Sequence, residues 1–237
     1  MDCNKLESLF IANPSSAIYE CKNMICSISE YDSYQDFLSY HKKNAHFSLC
    51  PKRYTKNEEI SILCVDCSLR EDNPAVMCIS CFLDGNHEGH NYFIFPKSVG
   101  ICNCGDKNYM KNTGFCTKHQ GIDAENNYHP ENYLDEKLRN AFTDVIFKAA
   151  FSSLNNFNKT SDRKALTIID FILSFTELGD GFRRLITITL IEKNDFDNFI
   201  SNIPSNNSQF NNALQPLFFS LLTDQLFRMS FSKSFYH

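Results

Sequence analysis

The sequence predicts a small, irregular, metal-stabilised domain followed by a mainly α-helical one. Three observations predict it. Eight of the 11 cysteines fall between Cys50 and Cys116. In that window Gly, Asn and Pro are frequent and hydrophobic periodicity is poor, so the segment cannot assemble an adequate apolar core. From Leu134 onward there is no Cys, and apolar residues recur in helical stripes. The expected division is a short helical lead over residues 1–46, a Cys-rich block over 47–121 and an α-helical domain over 122–237.

Composition narrows the functional classes. The chain is 43% hydrophobic and 22% charged, which excludes wholesale disorder. The net charge is −5, and Cys50–His119 carries eight Lys/Arg against eight Asp/Glu. No basic stripe is available to grip phosphates, so nucleic acid is not an expected partner. No apolar run approaches the ~18 residues of a membrane span, so a membrane is not expected either. The start, Met-Asp-Cys-Asn-Lys, lacks the apolar core of a secretory signal. A cytoplasmic chain, or a nuclear one, is expected. Disulfides are disfavoured there, so a dense Cys cluster reads as a metal site.

In the lead, Leu6, Leu9 and Phe10, then Tyr34, Phe37, Leu38 and His41, have helical spacing, separated by a break at Pro14-Ser15-Ser16. Cys3, Cys21 and Cys26 have no close Cys or His partner and are expected to be buried thiols. Residues 122–134 read as a linker. Beyond it, Leu134, Leu138, Phe142, Ile146 and Ala150 repeat every four residues, the mark of an amphipathic helix. Leu166, Ile169, Ile172, Leu173 and Phe175 suggest a second helix. Leu214, Leu217, Phe218, Leu221, Leu222, Leu226 and Met229 suggest another. Ile186–Leu190 alternates as a strand would, but its surroundings favour helix. Residues 201–212, rich in Asn and Ser, read as a loop.

The candidate ligands are Cys50, Cys64, Cys67, Cys78, Cys81, His87, His90, Cys102, Cys104, Cys116 and His119. They include two Cys-x-x-Cys pairs, a His-x-x-His, a Cys-x-Cys and a Cys-x-x-His. Two ligands on a short turn lose little entropy on meeting one ion, and four-coordinate thiolate and imidazole sites suit Zn²⁺. Three tetrahedral ions need twelve bonds. Eleven ligands supply them if one thiolate bridges, which sulfur can do and neutral imidazole cannot. Cys64, Cys67, His87 and His90 make a self-contained Cys₂His₂ set. The other seven must hold two ions, with a turn at Gly105 splaying Cys102 and Cys104 toward neighbouring ions. Spacing does not identify the bridging Cys. With every ligand used, no coordination position stays open, so the zinc is expected to be structural rather than catalytic. His41, His46, His129 and His237 are expected outside the metal sites, and Asp66, Glu71, Asp84 and Glu88 on a solvated surface. No Cys-x-His-x-x-Cys centre of a RING occurs, so no catalytic residue is assigned.

The block Cys50–His119 resembles the UBR box of the N-recognins, the substrate-selecting part of N-end-rule E3 ubiquitin ligases. The likeness rests on Cys50, Cys64-Val-Asp-Cys67, Cys78-Ile-Ser-Cys81, His87-Glu-Gly-His90, Cys102-Asn-Cys104-Gly-Asp106 and Cys116-Thr-Lys-His119. The resemblance implies three zinc ions, with Cys81 bridging two. One of these would take Cys50, Cys78, Cys81 and Cys102, the other Cys81, Cys104, Cys116 and His119. It also implies binding of proteins whose N-terminal residue is Arg, Lys or His. By position, Asp72 and Asp106 would face the basic side chain, and the Ile101 carbonyl the α-amine. Asn103 stands where the family commonly has Asp, and Pro74 where a small hydroxyl is frequent. These departures imply weaker or retuned binding. The alternative is a zinc scaffold for protein–protein contacts that no longer reads N-termini. The expected partners are N-degron peptides and substrate proteins, with an E2 and other ligase segments further candidates. Residues 177–185 and 217–224 weakly resemble the segment after the box in large N-recognins.

Overall fold

The computed structural model describes residues 1–54, 59–122, 128–156, 162–193, 196–203 and 208–234. They separate into two compact units, residues 46–128 and residues 1–45 with 129–237. The division differs from the threefold one expected from sequence, because the lead and the C-terminal helices share one hydrophobic core.

In the helical unit, α1 (Cys3–Ala12), α2 (Pro14–Ser29) and α3 (Tyr34–Lys43) form the lead. Pro14-Ser15-Ser16 does separate two helices, and it also begins the second. Asn13 caps α2 by accepting from the Ser16 N–H, and Pro14 occupies the first turn, where no N–H is needed. Leu6, Phe10, Ala17, Cys21, Ile25 and Phe37 are fully buried against the later helices. Cys21 is a buried thiol as expected, its pKa pushed up to about 12 by burial, whereas Cys3 and Cys26 are only half-buried. His41 packs 4.5 Å from the Phe37 ring and also against Phe182, and burial pulls its pKa down to about 4.

The four-residue stripe from Leu134 forms a helix with an irregularity. After a 3₁₀ turn (Pro130–Tyr133), α5 (Glu136–Ala141) runs through a π segment (Phe142–Ile146) into α6 (Phe147–Asn155). A strict four-residue repeat drifts by about 40° per step around a 3.6-residue helix. The wider π turn absorbs that drift, and Phe142, Ile146, Phe147 and Ala150 are all fully buried. Phe142 meets Phe175 edge-on at 5.0 Å and Phe182 at 5.3 Å.

α7 (Asp162–Phe175) and α8 (Asp180–Glu192) follow, so Ile186–Leu190 is helical. α9 (Phe196–Ser201) and α10 (Ser208–Leu221) replace part of the expected loop. Phe210, 1% exposed, anchors the first turn of α10 and makes residues 208–212 helical. The last apolar stripe is two helices, α10 and α11 (Gln225–Ser234). Asp224 divides them. Its carboxylate accepts from the Phe227 N–H at the start of α11 and pairs with Arg184 at 2.7 Å. Arg183 donates to the Thr176 carbonyl and the Thr223 hydroxyl, both at 2.9 Å. The stretches around 177–185 and 217–224 therefore meet through the buried Arg183 and the partly buried Arg184. No described helix is long and apolar enough to cross a membrane.

The second unit holds two small antiparallel sheets. β1 (Arg53–Tyr54) pairs with β5 (Gly100–Ile101). β2 (Ser61–Cys64) lies between β3 (Val76–Cys78) and β4 (Tyr92–Phe95). α4 (Ile79–Asp84) follows β3 directly. Its buried cluster has twelve members, of which only Ile62, Ala75, Met77, Met110 and Phe115 are not cysteines. Sulfur occupies the centre that apolar side chains fill in the helical unit. Of the expected linker, residues 130–133 form the 3₁₀ turn, while 123–127 lie outside the described residues, as do 204–207 and His237.

Candidate metal centre

Each ligand pair stands on a turn that its own sequence creates. Cys64 ends β2, and the next turn closes with the Ser68 N–H on the Cys64 carbonyl at 3.1 Å, presenting Cys67. Cys78 ends β3 and caps α4, its sulfur accepting from the Cys81 N–H at 3.4 Å. Gly89, at φ +75°, turns His87-Glu-Gly-His90, and the His90 N–H donates to the His87 carbonyl. Cys102 and Cys104 are fixed from outside: the Cys102 N–H donates to the Lys52 carbonyl, and the Cys50 N–H to the Cys104 carbonyl. Gly105 follows at φ +91°, where an added Cβ would sit 2.2 Å from the Ser48 carbonyl oxygen, so only glycine fits.

These turns bring the ligand atoms into three groups of four, each within 4.8 Å: Cys64, Cys67, His87, His90; Cys50, Cys78, Cys81, Cys102; and Cys81, Cys104, Cys116, His119. Cys81 belongs to two groups, and Gly105 does leave Cys102 and Cys104 in different ones. None of these cysteines is in a disulfide. The His87 and His90 Nδ1 atoms lie 3.3–3.5 Å from the Cys64 and Cys67 sulfurs. His119 Nδ1 lies 3.4 Å from Cys81 Sγ and 3.1 Å from Cys116 Sγ. A tetrahedral zinc at ~2.3 Å from sulfur and ~2.0 Å from nitrogen requires an S···N edge of about 3.5 Å. The donor set and its spacing fit zinc.

Proton affinities of the bare thiols reflect the crowding. Cys81 is pushed far above the ordinary thiol value by bonds with Cys102 and Cys104, then Cys50 and Cys78, so it touches sulfurs of both groups. Cys78 is pulled far down by bonds from Cys102 and Cys50, and Cys104 is lowered to about 5, chiefly by Cys81. A divalent cation held by these residues would displace such protons and stabilise the thiolates together.

Residues beyond the ligands hold the turns. The Asp66 carboxylate accepts from the Asn91 N–H at 2.6 Å, and its carbonyl accepts from Lys111 Nζ. Asp84 accepts from the Thr117 N–H and hydroxyl, joining the end of α4 to the Cys116 turn. These bonds, led by the Thr117 hydroxyl, hold the Asp84 carboxyl below its usual range. Both acids are exposed, as expected, but each is also a clamp. Gly114 packs so tightly that an added Cβ would lie 2.5 Å from Cys67 Sγ. A glycine two residues before Cys116 was the available signal for that contact.

The other candidates lie on β5, on the turn after Cys102 and on the segment before β3. Asn103 donates its N–H to the Val76 carbonyl at 2.7 Å and accepts the Val76 N–H on Oδ1 at 2.9 Å. This reciprocal pair ties the strand following Asp72 to the turn carrying Asp106. The Asp106 N–H donates to the Asn103 carbonyl, and Asp106 Oδ1 accepts from the Asn108 N–H and side-chain amide. Asp72 is exposed and faces Arg70 at 3.4 Å. Ile101 lies half-exposed on β5 opposite Arg53. A separate cavity of about 880 Å³ is lined by Cys50, Cys78, Cys81, Cys116 and His119, and by none of these four residues. His46 and His129 join no ligand group.

Residues 49–119 match the family described as the zinc finger in N-recognin (UBR box). The chain carries a UBR box. The likeness extends beyond the UBR box. E3 ubiquitin-protein ligase PRT6 of Arabidopsis thaliana is 23% identical over 209 residues, covering 79% of this chain and 10% of PRT6. E3 ubiquitin-protein ligase ubr3 of Danio rerio is 27% identical over 177 residues, 70% of this chain and 9% of that protein. E3 ubiquitin-protein ligase UBR1 of Homo sapiens is 33% identical over 111 residues, 44% and 6%. The chain thus spans about a tenth or less of the length of these relatives. The UBR box match and the Cys/His groups together identify the block as a zinc-binding domain.

Proposed function

We propose that this chain is the substrate-recognition part of an N-end-rule E3 ubiquitin ligase, whose UBR box takes proteins beginning with Arg, Lys or His for ubiquitin-dependent degradation. The observation that carries the reading is the assembly of all eleven ligands into three groups, with Asp106 on the turn leaving Cys104. Three zinc ions, two bridged by Cys81, would hold the box. When bound they supply charge balance and rigidity. Asp72 and Asp106 then meet a cationic side chain, and the Ile101 carbonyl meets a free α-amine. Both cationic groups lose water on binding, and carboxylates and carbonyls must replace it. The proposed partners are substrate proteins, with an E2 and other ligase segments outside these residues.

Titration of the zinc-loaded chain with Arg-, Leu- and Gly-initiated peptides tests the reading. Binding of the Arg peptide alone, lost on N-acetylation, is expected. Asp106→Asn keeps an acceptor for Asn108 but removes the charge. A charge-assisted bond is worth about 1.5–3 kcal/mol against about 1 for a neutral one, so the affinity should fall several-fold or more with zinc content unchanged.

One observation favours a second reading. The Asn103 carboxamide oxygen is already engaged by the Val76 N–H, so this residue offers neither charge nor that lone pair to a peptide's second residue. A UBR-like scaffold that does not read N-termini would show no Arg-peptide binding while fully zinc-loaded.

A further inference from the structure

We infer that the outer edge of β4 is a docking site for an extended, uncharged, apolar segment of a separate protein, added as a fourth strand to the sheet.

β4 is Tyr-Phe-Ile-Phe, and all four side chains are exposed, by 49, 62, 58 and 42% in order. Its partner β2 is buried throughout. The sheet order is β3-β2-β4, so β4 is an edge with no strand beyond it among the described residues. The phase of the ladder follows from one bond. The Val65 N–H donates to the Asn91 carbonyl, continuing the register that sets Cys64 opposite Tyr92. In an antiparallel ladder hydrogen-bonded pairs alternate, so Phe93 and Phe95 turn their backbone groups toward β2. Tyr92 and Ile94 therefore aim their N–H and C=O groups outward. An incoming strand would meet two donors and two acceptors there. It would find Phe93 and Phe95 on one face, and Ile94 with Tyr92, which leans on Phe82 at 4.9 Å, on the other.

Sheet edges are usually blunted by charge or proline. Here both, Pro96 and Lys97, come only after the strand and limit the added strand to a short one. The area at stake decides between occupants. A fully buried aromatic side chain covers roughly 150–250 Å², so three half-exposed ones together with Ile94 offer roughly 400 Å². Two copies paired through β4 would bury about 800 Å² in total, below the ~1,200 Å² of a stable interface. Strand addition by a short peptide draws its affinity from main-chain bonds and needs no such area. A partner strand with alternating apolar residues and no charge over the paired positions fits both faces.

The test is selection of a displayed random-peptide library, with blocked N-termini, against the full zinc-loaded chain. The selected peptides should alternate apolar residues and slow hydrogen exchange at the Tyr92 and Ile94 amides. Their affinity should fall about tenfold or more in Phe93→Lys and stay unchanged in Val99→Lys, an exposed apolar position off the strand. Blocked N-termini keep the result independent of degron reading. No enriched peptide, protection away from Tyr92 and Ile94, or self-association of the chain that Phe93→Lys abolishes would each overturn the inference.

Discussion

A cysteine among five other sulfurs and a glycine with no room for a methyl group explain most of the zinc domain at the scale of single residues. Cys81 lies in two ligand groups because Cys78 caps the short helix and sends Cys81 inward one turn later. A shared sulfur could be counted from the sequence on the proposal of three tetrahedral ions, since eleven donors would then make twelve bonds. Its position could not, because Cys50, Cys78, Cys102 and Cys104 satisfy the same arithmetic. Gly114 is the opposite case, a residue with no donor atom that fixes where donors stand. Gly114→Ala places a carbon 2.5 Å from Cys67 Sγ. Overpacking of this kind costs about 1–3 kcal/mol. The variant should lose the ion of the Cys64–Cys67–His87–His90 group at lower chelator concentration than the other ions, as read by a zinc-release titration.

At the scale of elements, the helical unit depends on a polar junction that composition hides. Arg184 and Asp224 form a pair with side chains 12 and 5% exposed. Burial raises the Asp224 carboxyl above its ordinary value, although Arg184 works to lower it. Arg184→Met leaves that carboxylate buried without its cation, a loss of about 3–5 kcal/mol. The sign of the pH dependence follows. With its pKa raised further, the folded variant binds a proton that the unfolded chain releases. Stability should therefore fall as pH rises above 3.8, more steeply than in the parent protein. Thermal unfolding of both proteins across mildly acidic to neutral pH checks this.

The helices themselves were largely legible, because an apolar stripe reports burial directly. The four-residue repeat from Leu134 marked the amphipathic helix but not its π turn, which only the packing of Phe142 and Ile146 requires. The split between α10 and α11 was not legible. Leu214 to Met229 reads as one stripe, and Asp224 interrupts it only because Arg184, 40 residues earlier, is there to meet it. Likewise, Asp66 and Asp84 read as solvated acids, because their backbone partners at Asn91 and Thr117 come close only once the turns are formed. The candidate metal ligands were legible as chelating pairs. The tie between Asn103 and Val76 was not, since it joins segments 27 residues apart.

At the scale of the whole molecule, the two units are held by different physics. Residues 46–128 gather around sulfur, whereas residues 1–45 and 129–237 gather around Phe, Leu and Ile. The first has too small an apolar core to persist without its ions. A strong chelator under reducing conditions should therefore unfold residues 46–128 while the helical far-ultraviolet signal persists. Hydrogen exchange by region should show fast exchange confined to that unit. Loss of both units together would mean that the zinc domain also supports the helices.

The central claim is the shared sulfur, and counting ions in native mass spectra tests it most directly. The reduced, zinc-replete chain should carry three zinc ions. Cys64→Ser should remove one, whereas Cys81→Ser should remove two and leave the Cys₂His₂ ion in place. Two ions in the parent chain, or equal losses in the two variants, would contradict the account.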